Sequence, residues 1–346
     1  MSASASASHD FVTEIPPDDM RGSSDIALTI HERVVLAVVT AIVAVIGICL
    51  NGISAFLILR LRVFRNAFGC LMALNSLSNV GVLTTFLFWA APVMIFGMPS
   101  EWQNFGDIVG QIALFFQTTS FHSMLFISIN RFAAISFPTF YRNYFTTRRT
   151  LYVISFILAA SFAYFCVYFY PGCYFFFDYV SSLWTFGATT CGTALGLYVD
   201  FGYSVALFGV IMVLDLVTLT VLRTAHRNLK KHGIQVKSAS HAIHQRKEVM
   251  FFVQAFATSV TYCCMLICFH VISPLLPAGI ALVISRTTVW EMAHAGGGVI
   301  LVSFNRSPSN EVNVCTYIKA LCWLISSGSR HLHIEECLPL KGTVIE

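Results

Sequence analysis

The stretch VVLAVVTAIVAVIGICLNGISAFLIL, residues 34–59, is 26 residues long and contains no Asp, Glu, Lys or Arg. About 20 helical residues cross the ~30 Å hydrocarbon core of a bilayer. The stretch does not alternate apolar and polar residues, as the strands of a membrane β-barrel do. A helix also satisfies its own backbone hydrogen bonds in lipid. The stretch therefore predicts a transmembrane helix.

Six further apolar stretches of this kind follow, interrupted only by Asp215 and Glu291. Pro and Gly residues mark the turns that divide the longest of them. The seven predicted helices span about residues 34–59, 68–95, 108–131, 150–171, 200–222, 249–272 and 281–304. Only 11% of the chain is charged, whereas a soluble domain carries about 25%. The predicted fold class is an all-α bundle of seven transmembrane helices.

The distribution of basic residues predicts the orientation of this bundle. Eighteen of the 21 Lys and Arg residues fall in segments 60–65, 131–149, 223–247 and 306–346. Basic loops tend to stay in the cytosol, so the N-terminus is predicted outside and the C-terminus inside. The predicted domains are a disordered extracellular tail at 1–32, a transmembrane domain at 33–305 and a cytoplasmic tail at 306–346.

The end of the third predicted helix reads NRFAAISFP, residues 130–138, followed by Tyr141. It resembles the pattern of rhodopsin-like receptors: an acidic residue, Arg, an aromatic residue, then Ala, Ile and Pro at fixed spacing. Arg131 could alternatively be an ordinary basic residue at a cytosolic helix end. The longer match, on the third of seven helices, favours a receptor in which its planar, permanently charged guanidinium contacts a partner. Asn51 and Gly52 also stand where such receptors have an interhelical Asn.

A narrower resemblance extends over about residues 35–305. The matching residues are Gly110, Gln111, His122, Ser128, Asn130, Arg131, Phe132, Asp200, Phe201, Glu248, Phe252, Gln254, Trp290, His294, Phe304 and Asn305. In order and spacing they look like the nematode chemosensory receptors called serpentine receptor class x, or Srx. The resemblance implies a multi-pass receptor in the plasma membrane, including the sensory cilium of chemosensory neurons. It also implies that a small-molecule ligand acts through a heterotrimeric G protein.

The resemblance carries roles to particular residues. For G-protein coupling they are Asn130, Arg131, Phe132 and Tyr141, with Lys230, Lys231, Arg246 and Lys247 of the basic segment 223–247. That segment suits anionic lipid headgroups and a G-protein surface, although a solvated cytosolic loop explains the same charges. Interhelical roles fall to Asn51, Asn79 and Asn305. The chain departs from mainstream receptors at Asn130 and Asn79, where an acidic residue is usual, which favours a divergent chemosensory class.

Polar residues within the outer halves of the predicted helices are candidates for ligand binding, because polar groups in a bilayer are costly and often functional. The candidates are Gln111, Gln117, Asp200, Tyr203, Trp290, Glu291 and His294. Trp290 and His294 are four residues apart and share a helical face. Hydrogen bonding between helices is the alternative role. The seventh predicted helix has no Lys, which excludes a retinal Schiff base.

Two of the eleven cysteines, Cys173 and Cys191, fall in predicted extracellular sequence. That side matures in an oxidising compartment, so a disulfide between them is predicted. In the loop-entropy model, such a disulfide stabilises the folded state by about 3 kcal/mol.

Other function classes find less support in the sequence. No metal-ligand spacing, cofactor motif, nucleophile motif or nucleic-acid-binding patch is present, so no metal, cofactor, enzymatic activity or nucleic-acid partner is expected. The alternative to a receptor is a ligand-gated channel or transporter of the plasma membrane. It would require polar, pore-facing residues along several helices, whereas the polar residues here are scattered.

Overall fold

The computed structural model describes residues 28–60, 64–99, 102–231 and 239–304. The fully described helices are α1 (Ile30–Arg60), α2 (Ala67–Phe96), α3 (Gln103–Ser136), α4 (Pro138–Tyr144) and α5 (Thr147–Val167). Three more begin at Thr190 (α6), Ala239 (α7) and Ile280 (α8). Helix α4 is a short helix in the loop between α3 and α5. The predicted tail 306–346, most of the tail 1–32, and Asn305 lie outside the described residues.

Four of these helices contain a π-helical turn. The π-helical segments are Phe86–Ala90 in α2, Leu195–Tyr203 in α6, Cys268–Ile272 in α7 and Ile284–Thr288 in α8. Helix α6 then continues as Ser204–Lys231, α7 ends in Ser273–Leu275, and α8 continues as Val289–Phe304. Such turns are rare and occur frequently at functional sites.

Six of the described helices, α1, α2, α3, α5, α6 and α7, are long and apolar enough to span a membrane. Helix α8 runs without interruption from Ile280 to Phe304 but is less apolar, because it carries Arg286, Glu291 and His294. Glu291 and His294 are fully buried, so these polar groups face the other helices rather than lipid. The all-α, seven-helix fold class is confirmed, while the orientation stays a prediction.

A β-hairpin that the sequence did not predict covers one end of the bundle. Strands β1 (Phe175–Asp178) and β2 (Leu183–Phe186) pair antiparallel, and we call residues 175–186 the hairpin. A disulfide between Cys173 and Cys191 joins the start of the hairpin to the start of α6. We call this end of the molecule the hairpin end. The opposite end, which carries Arg131, is the arginine end.

The hairpin is inserted into the bundle. Phe175, Phe177 and Trp184 are at most 1% exposed, and the Trp184 ring lies 5.6 Å from Phe86 and 5.5 Å from Trp290. Each aromatic side chain that becomes buried contributes a large apolar area. These contacts fix the hairpin against α2 and α8.

Gly110 allows α3 to approach this hairpin. A Cβ atom at position 110 would overlap the backbone carbonyl of Phe175. A glycine is therefore required where helix and hairpin backbones meet.

Candidate functional site

Three polar side chains from three helices meet below the hairpin. The Gln117 amide on α3 donates a hydrogen bond to Asp200 Oδ1 on α6 at 3.0 Å. His270 Nε2 on α7 lies 2.9 Å from Asp200 Oδ2. We call Gln117, Asp200 and His270 the outer polar group. A carboxylate in a membrane bundle needs such partners, and this one has a partner on each oxygen.

Aromatic rings pack against His270 in the outer polar group. The ring centroids of Phe269 and Phe201 lie 4.8 Å and 5.0 Å from that of His270, and the hairpin contributes Phe186 at 6.4 Å. Asp200 and His270 each lie on a π-helical turn. Apolar walls around a few polar groups are the usual composition of a small-molecule site.

The structure brings together only part of the predicted ligand set. Gln117 and Asp200 belong to the outer polar group, whereas Gln111 donates to the carbonyl of Tyr168 at the end of α5. Tyr203 is 47% exposed on the outside of the bundle and bonds to His122 at 2.6 Å. Gln111 and Tyr203 therefore connect helices here and are separate from the outer polar group.

The three candidates on α8 have different surroundings. Trp290 packs in the aromatic cluster under the hairpin, 5.8 Å from Phe175. Glu291 faces α1, beside Thr40 and Ala44. His294 lies deeper, in a polar network in the middle of the bundle. The seven candidates are therefore distributed over several places in the bundle, and their roles in ligand binding stay predictions.

His270 is a residue that the sequence analysis missed. It lies in the sixth predicted helix, in a stretch without Asp, Glu, Lys or Arg. A histidine within a predicted membrane helix is itself a signal of function, and that signal would have identified it.

A network of buried hydrogen bonds links five helices in the middle of the bundle. Asn79 on α2 donates to Asn51 on α1 (3.3 Å), and its Oδ1 accepts from Ser120 on α3 and Tyr262 on α7, each at 3.0 Å. His294 Nδ1 on α8 lies 2.9 Å from the same oxygen. We call these five residues the central network. Every member is at most 2% exposed.

Small residues on α8 make room for this network. A Cβ atom at Gly298 would lie 2.9 Å from the backbone N of Asn51, and one at Gly297 would lie 2.9 Å from Asn79 Nδ2. The Asn51 amide donates to the backbone carbonyl of His294 at 3.2 Å. Small residues let membrane helices approach closely, which explains glycines at these two positions.

At the arginine end, Arg131 shares a cavity of about 60 Å³ with Asp215, Ser128 and Gln254. Ser128 donates a hydrogen bond to Asp215 Oδ1. Asp215 is 1% exposed, and its Oδ2 has no hydrogen-bond partner among the described residues. The cavity therefore places a buried anion near the arginine of the predicted coupling motif.

The other predicted coupling residues lie around Arg131. The Tyr141 hydroxyl on α4 donates to Asn130 Oδ1 at 3.4 Å, and the ring of Phe132 packs edge-on against Phe137. The Arg131 guanidinium lies over the Phe68 ring at 5.1 Å. Lys230 and Lys231 are in α6, and Arg246 and Lys247 are in α7, but their side chains lie outside the described part. Within that part, no group of His, Cys, Asp and Glu is arranged to hold a metal ion.

Comparisons with known proteins agree with this architecture. A crystal structure of squid rhodopsin superposes with a TM-score of 0.65 over 89% of this chain and 90% of that chain, at 12% identity. The curated Caenorhabditis elegans protein "Serpentine receptor class X 45" is 27% identical over 275 residues, covering 75% of this chain and 76% of that protein. Residues 42–305 match the family model "Serpentine type 7TM GPCR chemoreceptor Srx". The chain is therefore a multi-pass membrane protein that belongs to the Srx family of G-protein-coupled chemoreceptors.

Proposed function

We propose that this receptor binds a small extracellular molecule at the hairpin end and activates a heterotrimeric G protein at the arginine end. The observation that carries the proposal is the outer polar group. It is a three-helix hydrogen-bonded cluster in which Asp200 and His270 lie on π-helical turns, and aromatic rings, one of them from the disulfide-linked hairpin, pack against His270. A ligand that bonds to it contacts α3, α6 and α7 together.

The chemistry of this region favours an apolar ligand with a hydrogen-bond acceptor, such as a carbonyl compound. The indole N–H groups of Trp184 and Trp290 are buried without an acceptor among the described residues, and indole is a donor only. The Asp200 carboxylate is already bonded to Gln117 and His270. An amine ligand would have to displace those partners, whereas an acceptor would satisfy a free donor.

The central network connects the proposed ligand site with the arginine end. Tyr262 and His270 are both on α7, eight residues apart, so a shift of α7 at the outer polar group also moves Tyr262 relative to Asn79. A ligand changes the populations of two arrangements only by binding one of them more tightly. In our proposal the favoured arrangement moves α7 away from α3 at the arginine end.

The separation of α7 from α3 would free Arg131 to contact Gα. In our proposal the negative charge of Asp215, which lines the same cavity as Arg131, attracts the guanidinium and keeps it inside the bundle in the ligand-free state, in place of the acidic residue that is absent at Asn130. The basic residues Lys230, Lys231, Arg246 and Lys247 add positive charge for an acidic Gα surface. This orientation requires the arginine end to face the cytosol at the plasma membrane.

The test is a ligand screen in cells that express the receptor with a promiscuous Gα subunit. Volatile and water-soluble compounds are applied while intracellular calcium is recorded. We expect at least one carbonyl-containing compound to evoke a response that disappears in cells lacking Gα. Ligand-evoked currents that persist in those cells would instead identify a channel and contradict the proposal.

A further inference from the structure

We propose that a second cavity, beneath the loop helix α4, binds one anionic phospholipid, with an acyl chain inside it and the phosphate on Arg149. This cavity has a volume of about 250 Å³ and lies between α2, α3, α4 and α5. It shares no lining residue with the smaller cavity at Arg131 and Asp215. Binding at this site does not depend on the proposed G-protein coupling.

The shape and lining of the cavity suit a hydrocarbon chain. Leu71, Phe126, Phe140 and Val153 contribute apolar walls. Ordered water needs two to four polar partners for each molecule, and the cavity offers few. Its volume is just below the ~300–1,000 Å³ of sites that enclose a whole small molecule. One chain of a larger amphiphile, with the remainder outside, fits this size better than a complete enclosed ligand.

Two polar groups are positioned for the other end of the molecule. Asn130 lines the cavity and is 2% exposed, and its Nδ2 has no hydrogen-bond partner among the described residues. An ester carbonyl near the top of an acyl chain would accept from this amide. Arg149 also lines the cavity but is exposed, so it lies at the opening.

The Arg149 side chain is already held in place at the opening. Its guanidinium lies 4.8 Å from the centre of the Tyr144 ring. Its Nη1 donates to the backbone carbonyl of Asn143 at 3.2 Å. A guanidinium carries five N–H donors in a planar fork that matches phosphate geometry. Most of those donors therefore remain after this bond to supply a phosphate.

The charge around the opening favours an anionic headgroup. From residue 131 to residue 177 the sequence contains four arginines and no Asp or Glu. Three of these arginines, Arg142, Arg148 and Arg149, are exposed. A juxtamembrane basic residue attracts anionic lipid by about 1 kcal/mol. A zwitterionic headgroup gains much less from such a cluster.

Helix α5 gives a lipid chain direct access from the bilayer. Its outward face exposes Leu151 (55%), Phe156 (63%) and Tyr152 (64%), and these apolar side chains face hydrocarbon in a membrane. Val153 lines the cavity and is partly exposed beside this face, so an acyl chain can enter the cavity past it. A phospholipid is therefore a better candidate than a soluble anion, because the site combines an apolar cavity with the guanidinium of Arg149 at its opening.

The test is native mass spectrometry of the full-length purified receptor, titrated with phosphatidylserine or with phosphatidylcholine of the same acyl composition. We expect one phosphatidylserine to remain bound, with at least tenfold weaker retention of phosphatidylcholine. Arg149→Gln should lower phosphatidylserine retention about tenfold. Arg148→Gln is the matched control, because it removes the same charge from an exposed neighbour that does not line the cavity, and it should change retention less than twofold.

A second variant tests the interior of the cavity rather than its opening. Val153→Phe fills the cavity and should abolish retention while Arg149 is intact. A phosphatidylserine analogue with a photoreactive acyl chain should label the peptide that contains Val153 in the unmodified receptor. The proposal would be overturned if Arg148→Gln and Arg149→Gln lowered phosphatidylserine retention equally. It would also be overturned if the photoreactive lipid labelled another peptide, or if the receptor retained a sterol and no anionic lipid.

Discussion

Substitution of Asp215 by Asn should raise signalling in the absence of ligand. Asn keeps the size of the side chain and an oxygen that accepts from Ser128, but it removes the buried negative charge near Arg131. Breaking a buried, hydrogen-bonded ion pair costs about 3–5 kcal/mol, which is an upper limit here because Asp215 Oδ2 has no hydrogen-bond partner among the described residues. Since the Ser128 bond is retained, we expect the ligand-free, inactive arrangement to lose only about 1.4 kcal/mol of stability. This changes the equilibrium between the inactive and active arrangements tenfold.

That loss applies to the ligand-free state, in which we propose that Asp215 restrains Arg131. A receptor that is active about 1% of the time without ligand would become active about 10% of the time. The assay is ligand-free nucleotide exchange on purified Gα by the receptor in lipid nanodiscs. We expect a basal rate about tenfold above that of the unmodified receptor.

The structure supplies a rescue experiment for the same prediction. Adding Asn130→Asp to the Asp215→Asn variant places a carboxylate on the residue that precedes Arg131, the position that is acidic in many rhodopsin-like receptors. The double variant should return to within about twofold of the unmodified basal rate, well under 1 kcal/mol from it. An Asp215→Asn receptor with normal thermal stability and an unchanged or lower basal rate would show that Asp215 does not restrain Arg131.

Three further predictions concern stability, each measured as thermal unfolding of the purified receptor. Cys191→Ser removes the disulfide to Cys173 and should lower the free energy of unfolding by about 3 kcal/mol. A melting curve equal to that of the unmodified protein would contradict the disulfide. Gly110→Ala should lower the free energy of unfolding by about 1–3 kcal/mol, because the added methyl group overlaps the hairpin backbone. Gly52→Ala is the control, since a Cβ atom at position 52 meets nothing within 4 Å. Equal effects of the two substitutions would contradict the close contact between α3 and the hairpin. Asn51→Ala should cost about 1–3 kcal/mol by leaving central-network partners unsatisfied, and no loss would show that the network is not stabilising.

The fold was predictable because the lipid interior offers no hydrogen-bond partners to the backbone. A membrane helix has to satisfy its backbone within itself, so seven long apolar stretches specify seven helices. Helix α8 shows the limit of this rule. Glu291 and His294 lower its hydropathy, yet it remains a helix of the bundle because other helices bury those side chains. The hairpin was not predicted, because its short strands are stabilised by packing against Phe86 and Trp290, which are far away in sequence.

The site was only partly predictable, because π-helical turns change which residues share a face. Tyr203 follows Asp200 by three residues, and in a regular α-helix the two would be neighbours. The π-helical segment that contains both widens the turn, and Tyr203 points out of the bundle while Asp200 points in. Nothing local in the sequence specifies this turn. The pairing of Asp200 with His270 likewise depends on how α6 packs against α7.

The most direct test of the account is ligand-stimulated nucleotide exchange on purified Gα, with a compound found by the cell screen. Trp290→Phe, which removes one of the indole N–H donors proposed to bond the ligand, should raise the concentration for half-maximal exchange about tenfold, equivalent to ~1.4 kcal/mol of ligand affinity. Arg131→Ala should leave ligand binding intact and reduce maximal exchange to near the receptor-free rate. An Arg131→Ala receptor that still shows full ligand-stimulated exchange would contradict the account.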